Sequence, residues 1–257
     1  MLGLGTSVTS IDSGQIYKEL SELSNYSDLH IHFDMSTLAG DHGDAVTAVV
    51  NTGSGGVGYR INSAEGAPTL DRISLSKACV DFPNDGDDDN ILDMAASYTT
   101  TGKAMTFFIV FQWDAMDNQV IVADSDVTYE DYITLGVSAL RIALDGGTAS
   151  AVTFNNTDNS TISYSHEAST PTVLLIQRTS SGVCNFFHDN NLKTGFLADT
   201  GAATFKLGAI GGTTSSSIVD FNGKICEVGL YNADIGDSNI PIILESLCTK
   251  WGVDRRE

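Results

Sequence analysis

Two stretches decide how this chain folds: Cys79-Val-Asp-Phe-Pro-Asn-Asp-Gly-Asp-Asp-Asp-Asn-Ile-Leu-Asp93 and Phe221-Asn-Gly-Lys-Ile-Cys-Glu-Val-Gly-Leu-Tyr231. Each reads as a strand bounded by Gly, Asn and Asp turns. The span between them leaves room for a whole two-sheet sandwich, so the pair points to one large all-β unit rather than two small ones.

Outward from these stretches the same pattern repeats. Leu29-His-Ile-His-Phe-Asp34 alternates, with Ile31 and Phe33 on one face and His30, His32 and Asp34 on the other. Gly40–Asp44 and Asn51–Gly58 are turn-dense and read as loops. Met105–Trp113 is apolar throughout, as a strand buried on both faces would be. Val120–Val122, Tyr132–Val137, Ala139–Leu144, Thr161–Tyr164, Thr172–Arg178, Val183–His188, Phe205–Ile210 and Lys224–Tyr231 read as further strands. Asp145-Gly-Gly147 reads as a hairpin turn. Turns recur about every ten residues, the signature of a sandwich or barrel. The tail differs: Ile240, Ile243, Leu244, Leu247 and Trp251 fall on one helical face, with Asp237 and Ser238 as cap candidates and Pro241 near the start. Residues 1–26 form a separate arm, Gly/Ser/Thr-rich and then helically spaced at Ile16, Tyr17, Leu20 and Leu23. Residues 27–257 form the sandwich with its C-terminal helix.

Composition narrows the function classes. The 257 residues carry a net charge of −20, 42% hydrophobic and 18% charged side chains. That supports a sizeable core and argues against global disorder. Asp outnumbers Glu about three to one, a turn-forming bias that suits a loop-rich β protein. No basic stripe exists to meet phosphates, so no nucleic-acid partner is expected. The acidity reads as a solubility device for a saline setting, ahead of calcium or a basic partner. Cys79, Cys184, Cys226 and Cys248 form no CxxC pair, and three of them sit in apolar strand patterns. Buried free thiols and synthesis in a reducing cytoplasm are expected. The opening residues lack a basic start and a long apolar run, so neither a secretory signal nor a membrane span is expected. The sequons at Asn25, Asn155 and Asn159 are then incidental.

The two opening stretches together resemble the concanavalin A-like lectin/glucanase family, in its laminin-G-like branch. Ala67-Pro68 after a long loop, the paired Thr172–Arg178 and Gly182–His188, Phe205-Lys-Leu-Gly208 and the helix ending in Lys250-Trp251-Gly252 extend the resemblance from about Leu29 to Val253. It implies an all-β, concanavalin A-like jelly-roll β-sandwich with a short N-terminal arm and a C-terminal helix. Met1-Leu-Gly-Leu-Gly5 ahead of a short arm is similar to virion proteins of tailed marine bacteriophages. That similarity implies a non-enzymatic virion structural protein (capsid decoration, head fibre or tail-associated), made in the host cytoplasm. Its implied partners are major capsid or tail proteins, further copies in a homo-oligomer or multi-copy lattice, and a surface glycan. The alternative is a carbohydrate-binding host-attachment module. Leu2, Leu4, Ile16, Leu20 and Leu23 would anchor the arm to the assembly, because so much apolar surface does not stay free.

Chemistry is weakly signalled. Glucanases of this fold carry a Glu-x-Asp run, and the chain has none. Glu227 stands on a suitable strand, but alternation along it supplies no acidic partner, so no catalytic residue and no hydrolase activity are expected. Asp85-Gly-Asp-Asp-Asp89 has the oxygen donors of a calcium loop without the spaced ladder, and Asp124 with Asp126 is a weaker version. His30, His32, Asp34 and a folded-back His42 could bind a transition metal, though exposed histidines on an edge strand are commoner. No metal or other cofactor is expected. The Gly53–Gly58 loop lacks the Lys-Ser/Thr of a phosphate loop. For a sugar, Trp113, Tyr129, Tyr132 and Asn155–Asn159 are the candidates, with Trp113 better read as the end of a core strand.

Overall fold

The computed structural model describes residue 20 and residues 26–73, 77–83, 90–114, 119–124, 131–135, 139–143, 152–155, 171–188, 191–196, 204–213 and 219–253. The strands, in chain order, begin with β1 (Leu29–Asp34), β2 (Ile61–Glu65), β3 (Thr69–Arg72), β4 (Ala78–Phe82), β5 (Ile91–Thr99) and β6 (Met105–Trp113). They continue with β7 (Gln119–Ala123), β8 (Tyr132–Leu135), β9 (Ala139–Ala143), β10 (Val152–Asn155) and β11 (Thr172–Arg178). β12 (Cys184–His188), β13 (Asn191–Phe196), β14 (Lys206–Ile210), β15 (Val219–Asp220) and β16 (Gly223–Tyr231) complete the set, and α1 (Ile240–Trp251) follows.

They build the β-sandwich expected from the sequence. One sheet runs β13-β12-β11-β6-β16-β4-β3, with β1 also paired to β16. The other runs β10-β9-β8-β7-β14-β5-β2, with the short β15 parallel to β7. The two stretches that decide the fold are neighbours: Phe82 pairs with Gly223, Asp81 with Lys224 and Val80 with Ile225.

The first stretch is not a single strand, as its sequence suggested. Ala78–Phe82 lies in the first sheet and Ile91–Thr99 in the second, so the stretch contributes a strand to each sheet. Asn90 pins that corner: its amide oxygen accepts from Ala67 N, its amide nitrogen donates to Pro83 O, and its backbone N–H donates to the buried Asp220. The expected loop before Ala67-Pro68 likewise contains β2, read as loop because Ile61-Asn-Ser-Ala-Glu65 has a single large apolar side chain. Thr161–Tyr164 and Asp145–Gly147 lie outside the described residues.

Two apolar layers follow from β6, whose nine residues are all buried. Phe107, Ile109 and Phe111 enter the core between the sheets, with Ile31, Phe33, Ile225, Val228 and Leu230. Phe108 and Val110 face the other way, with Val173, Leu175 and the stripe of α1. Ile240, Ile243, Leu244, Leu247 and Trp251 are all buried, as their spacing predicted. The cap differs from expectation. Asn239 takes the N-cap position without a side-chain bond to the helix, its amide donating back to Ile235 O. Asp237 instead accepts from Gln177 on β11. Leu20 of the arm is buried in the helix-side layer, whereas Leu2, Leu4, Ile16 and Leu23 lie outside the described residues. Among the described residues no helix is long and apolar enough to cross a membrane.

Because α1 closes a core layer, a charge placed in it should be severe. Leu247→Asp is expected to cost at least about 3 kcal/mol, combining a lost side chain with a buried unpaired carboxylate. Thermal melts of the isolated protein read this directly; an unchanged melting temperature would mean α1 is not part of the folding unit.

Candidate functional site

A β-bulge creates the most charged part of the interior. On β16, Ile225 pairs with Phe111 and Glu227 with Val110, so Cys226 is an extra residue. Ile225 and Val228 therefore face the inter-sheet core, while Cys226 and Glu227 both turn toward α1. Glu227 has no exposed surface. Its Oε1 accepts from His32 Nε2 at 2.8 Å. Its Oε2 accepts from Lys250 Nζ at 2.7 Å and from Trp251 Nε1 at 2.6 Å. Lys250 also reaches Asp34 Oδ2 at 2.7 Å. Asp34 is the cross-strand partner of Glu227.

Burial alone would push the Glu227 carboxyl up, but the His32 hydrogen bond and the Lys250 charge outweigh it and hold the group at about 2. Lys250 is likewise raised, with Glu227 and Asp34 overcoming its own desolvation. His32 must carry a proton on Nε2 to donate to a carboxylate. Its Nδ1 faces Thr52 Oγ1 at 2.8 Å, and that hydroxyl is also 3.1 Å from His32 O. Thr52 can thus donate to a neutral ring, or accept from a charged one and donate to the carbonyl. The ring is satisfied in both states. Gly229 makes room for this packing, since a Cβ there would stand 2.2 Å from the Phe108 ring, which meets His32 edge-on. Beside them the Tyr231 hydroxyl is buried with no hydrogen-bond partner among the described residues, and burial raises its pKa.

The structure corrects several sequence expectations here. Glu227 does have an acidic neighbour, Asp34, supplied by another strand. His30, His32, Asp34 and His42, weighed as metal ligands and set aside, do not converge. His30 occupies a bulge in β1 and its ring lies 5.3 Å from Tyr98. His32 is 8% exposed, not the solvent-facing edge residue expected. His42 is 76% exposed and pairs with Asp71 at 2.9 Å. Among the described residues no group of three or more His, Cys, Asp or Glu could hold a metal ion. Asp124 is buried, 3.9 Å from Lys206 Nζ, while Asp126 and Asp85–Asp89 lie outside the described residues. Trp113 and Tyr132 are buried and cannot stack on a sugar. Tyr129 and residues 156–159 lie outside the described residues. Cys79, Cys184, Cys226 and Cys248 are buried free thiols, as expected.

The surface feature best suited to a ligand is the glycine-rich loop that the sequence pattern marks only as turn-dense. Residues 51–60 lie along the open edge of β1: Thr52 N donates to His32 O, Ser54 N to Leu29 O and Gly55 N to His30 O. Asn51 joins in, its Oδ1 accepting from His32 N. The loop approaches so closely that a Cβ at Gly53 would lie 2.6 Å from His30 O. With its backbone facing β1, the loop turns Val57 outward at 67% exposure. Half-buried Tyr59 stands beside it, its ring edge-on to Tyr98 at 5.2 Å. Burial, then Tyr59, pushes the Tyr98 hydroxyl up to about 12, so it stays a donor at every working pH. Exposed Arg60 folds back onto Val57 O, and half-buried Tyr26 reaches Thr52 O at the loop's other end. A rigid aromatic ring with a guanidinium donor beside it offers a sugar ring a stacking face and a hydrogen-bond donor. The signal in the sequence was the Tyr59-Arg60 pair closing a glycine-rich turn.

No protein-family model and no curated protein matches the sequence. Solved structures do match. One is the binding domain of botulinum neurotoxin DC in complex with rat synaptotagmin II, with TM-score 0.58 and 13% identity over 87% of this chain and 52% of that one. The same binding domain in complex with SialylT matches with the same values. Domain 4 of AbnA, a GH43 extracellular arabinanase from Geobacillus stearothermophilus, in complex with arabinotriose, matches with TM-score 0.57 and 13% identity over 84% of this chain and 98% of that one. The chain spans about half the length of the botulinum chains it matches. These likenesses establish the β-sandwich fold.

The Glu227 network sets an acid limit on stability. The folded carboxyl sits below its ordinary value of 4.5, so the stabilisation is complete above that pH and is lost as pH falls from 4.5 toward 2. The shift corresponds to an order of 3 kcal/mol. Glu227→Gln should be less stable at pH 7 and show a flatter stability profile between pH 5 and 2; denaturant melts across that window test both, and parallel profiles would contradict it.

Proposed function

We propose that this protein is a non-catalytic carbohydrate-binding module whose ligand, an oligosaccharide, rests on the loop of residues 51–60. The observation that carries this reading is the likeness to an arabinotriose-bound domain along nearly that domain's whole length. The loop adds the chemistry: the half-buried Tyr59 ring, braced edge-on by the buried Tyr98, exposed Arg60 beside it, and a backbone that Asn51 helps pre-organise against β1, which lowers the entropic cost of binding. A hydrolytic role fits poorly, because Glu227 is sealed beneath α1 and both its oxygens are already engaged. The net charge of −20 favours an uncharged glycan over a sulfated or sialylated one, which the surface field would repel. On a virion, the setting the sequence resemblance implies, this loop would meet the host glycan while the arm held neighbouring particle proteins.

The test is a glycan array probed with the folded protein, followed by calorimetry on the hits. Neutral oligosaccharides should bind without being cleaved. Tyr59→Ala should weaken binding about tenfold or more with little change in melting temperature. Absence of any bound glycan at millimolar concentration, or undiminished affinity in both Tyr59→Ala and Arg60→Ala, would sink the reading.

A further inference from the structure

Two of the four thiols are neighbours. The ladder between β16 and β4 runs as far as Ile225 and Val80, and Cys226 and Cys79 are the next residue along each strand. Both side chains leave the sheet on the α1 side and belong to the same apolar cluster. Cross-strand partners have Cα atoms roughly 4.5–5.5 Å apart, within the ~4.4–6.8 Å that a disulfide spans. The two thiols stand close enough to interact, and burial first, then Cys79, holds Cys226 well above its ordinary value. Of the remaining thiols, Cys184 faces the inter-sheet core, and Cys248 shares the helix-side cluster but stands on α1 rather than on a strand beside the pair.

We propose that Cys79 and Cys226 form an oxidisable dithiol site that closes to a disulfide within the folded sandwich. The oxidant class is a hydroperoxide, small enough to reach a covered pair. One thiol is oxidised to the sulfenic acid as hydrogen peroxide is reduced to water. The second thiol then attacks that sulfur, the S–O bond breaks, a second water leaves and the S–S bond forms. Cys226 is the extra residue of the bulge in the β16–β6 ladder, so it is freed from pairing with β6 and its strand can bend to bring the sulfurs into bonding geometry. The bulge therefore serves two groups at once, turning Glu227 to the helix and Cys226 to Cys79. Because burial disfavours the thiolate, the reaction is slow, and the pair stays reduced until peroxide exposure is sustained. This inference is independent of the glycan-binding reading.

The experiment exposes the native protein to hydrogen peroxide, quenches it, alkylates the remaining thiols under denaturing conditions and maps the peptides by mass. Expected is a peptide pair linked through Cys79 and Cys226, two hydrogens lighter than its reduced parts, formed while near-ultraviolet circular dichroism is still native. Cys184 and Cys248 should remain alkylated. Cys79→Ala and Cys226→Ala should each abolish the linkage; should either variant fail to fold, the wild-type map alone decides. Linkage that appears only after the tertiary signal is lost, or pairs scrambled equally among all four cysteines, overturns the proposal, as does full alkylation of both residues after exposure that oxidises the other thiols.

Discussion

A single carboxylate, Glu227, holds the three least regular parts of this fold together. It joins the edge strand β1 through His32, the central strand β16 on which it stands, and α1 through Lys250 and Trp251. A buried carboxylate is costly unless every lone pair is met, and here three donors meet it with a second acid, Asp34, balancing the lysine. The geometry is demanding. It requires the bulge at Cys226 to aim Glu227 outward, the missing Cβ of Gly229 to admit Phe108, and the helix to end where Lys250 and Trp251 fall over the same spot. Apolar packing could hold α1 against the sheet in several registers; this network accepts one.

Most of the fold was legible because it depends on local pattern. The all-apolar run of Met105–Trp113 identified the central strand, and the stripe Ile240, Ile243, Leu244, Leu247, Trp251 identified both the helix and its buried face. The charged network was not legible, for a definite reason. Strict alternation along β16 places Ile225, Glu227, Gly229 and Tyr231 on one face and Cys226, Val228 and Leu230 on the other. One inserted residue breaks that parity, so Ile225, Val228 and Leu230 share the inner core while Cys226 and Tyr231 share the outer one. Bulges depend on what the partner strands do, and pairing over 195 residues of separation leaves no local trace. The same holds for the candidate site. Trp113 and Tyr132 look like sugar-stacking residues by type, yet both are buried. Tyr59 matters because of where a loop lies, which only tertiary structure reveals.

The loop of residues 51–60 also solves a structural problem. Among the described strands β1 pairs with β16 alone, so its other edge presents carbonyls at Leu29, His30 and His32. Uncovered edges recruit other chains. The loop supplies three N–H donors to those carbonyls and has glycines where it must lie flat against them. Edge protection uses the loop's backbone, which faces β1, and leaves Val57, Tyr59 and Arg60 facing away, free to serve the proposed glycan site. A loop held this way has little freedom left to lose when a ligand arrives.

Electrostatics explains how so acidic a chain keeps a tight fold. With 13 lysines and arginines against 33 acidic residues, carboxylates must repel one another unless each cation does more than one job. The described lysines on β16 and α1 do so. Lys224 lies between Asp71 and Asp81, and Lys250 lies between Asp34 and Glu227. Each bridge spans separate elements: β3 and β4 on one side, β1 and β16 on the other. The two differ in depth. Asp81 is raised by its partial burial despite Lys224, whereas Glu227 is pulled down because hydrogen bonds join the lysine's charge. Salt screens the outer bridge far more than the inner one. At high ionic strength the sheet edge can therefore loosen its charge pairing while the helix and β1 remain tied through Glu227.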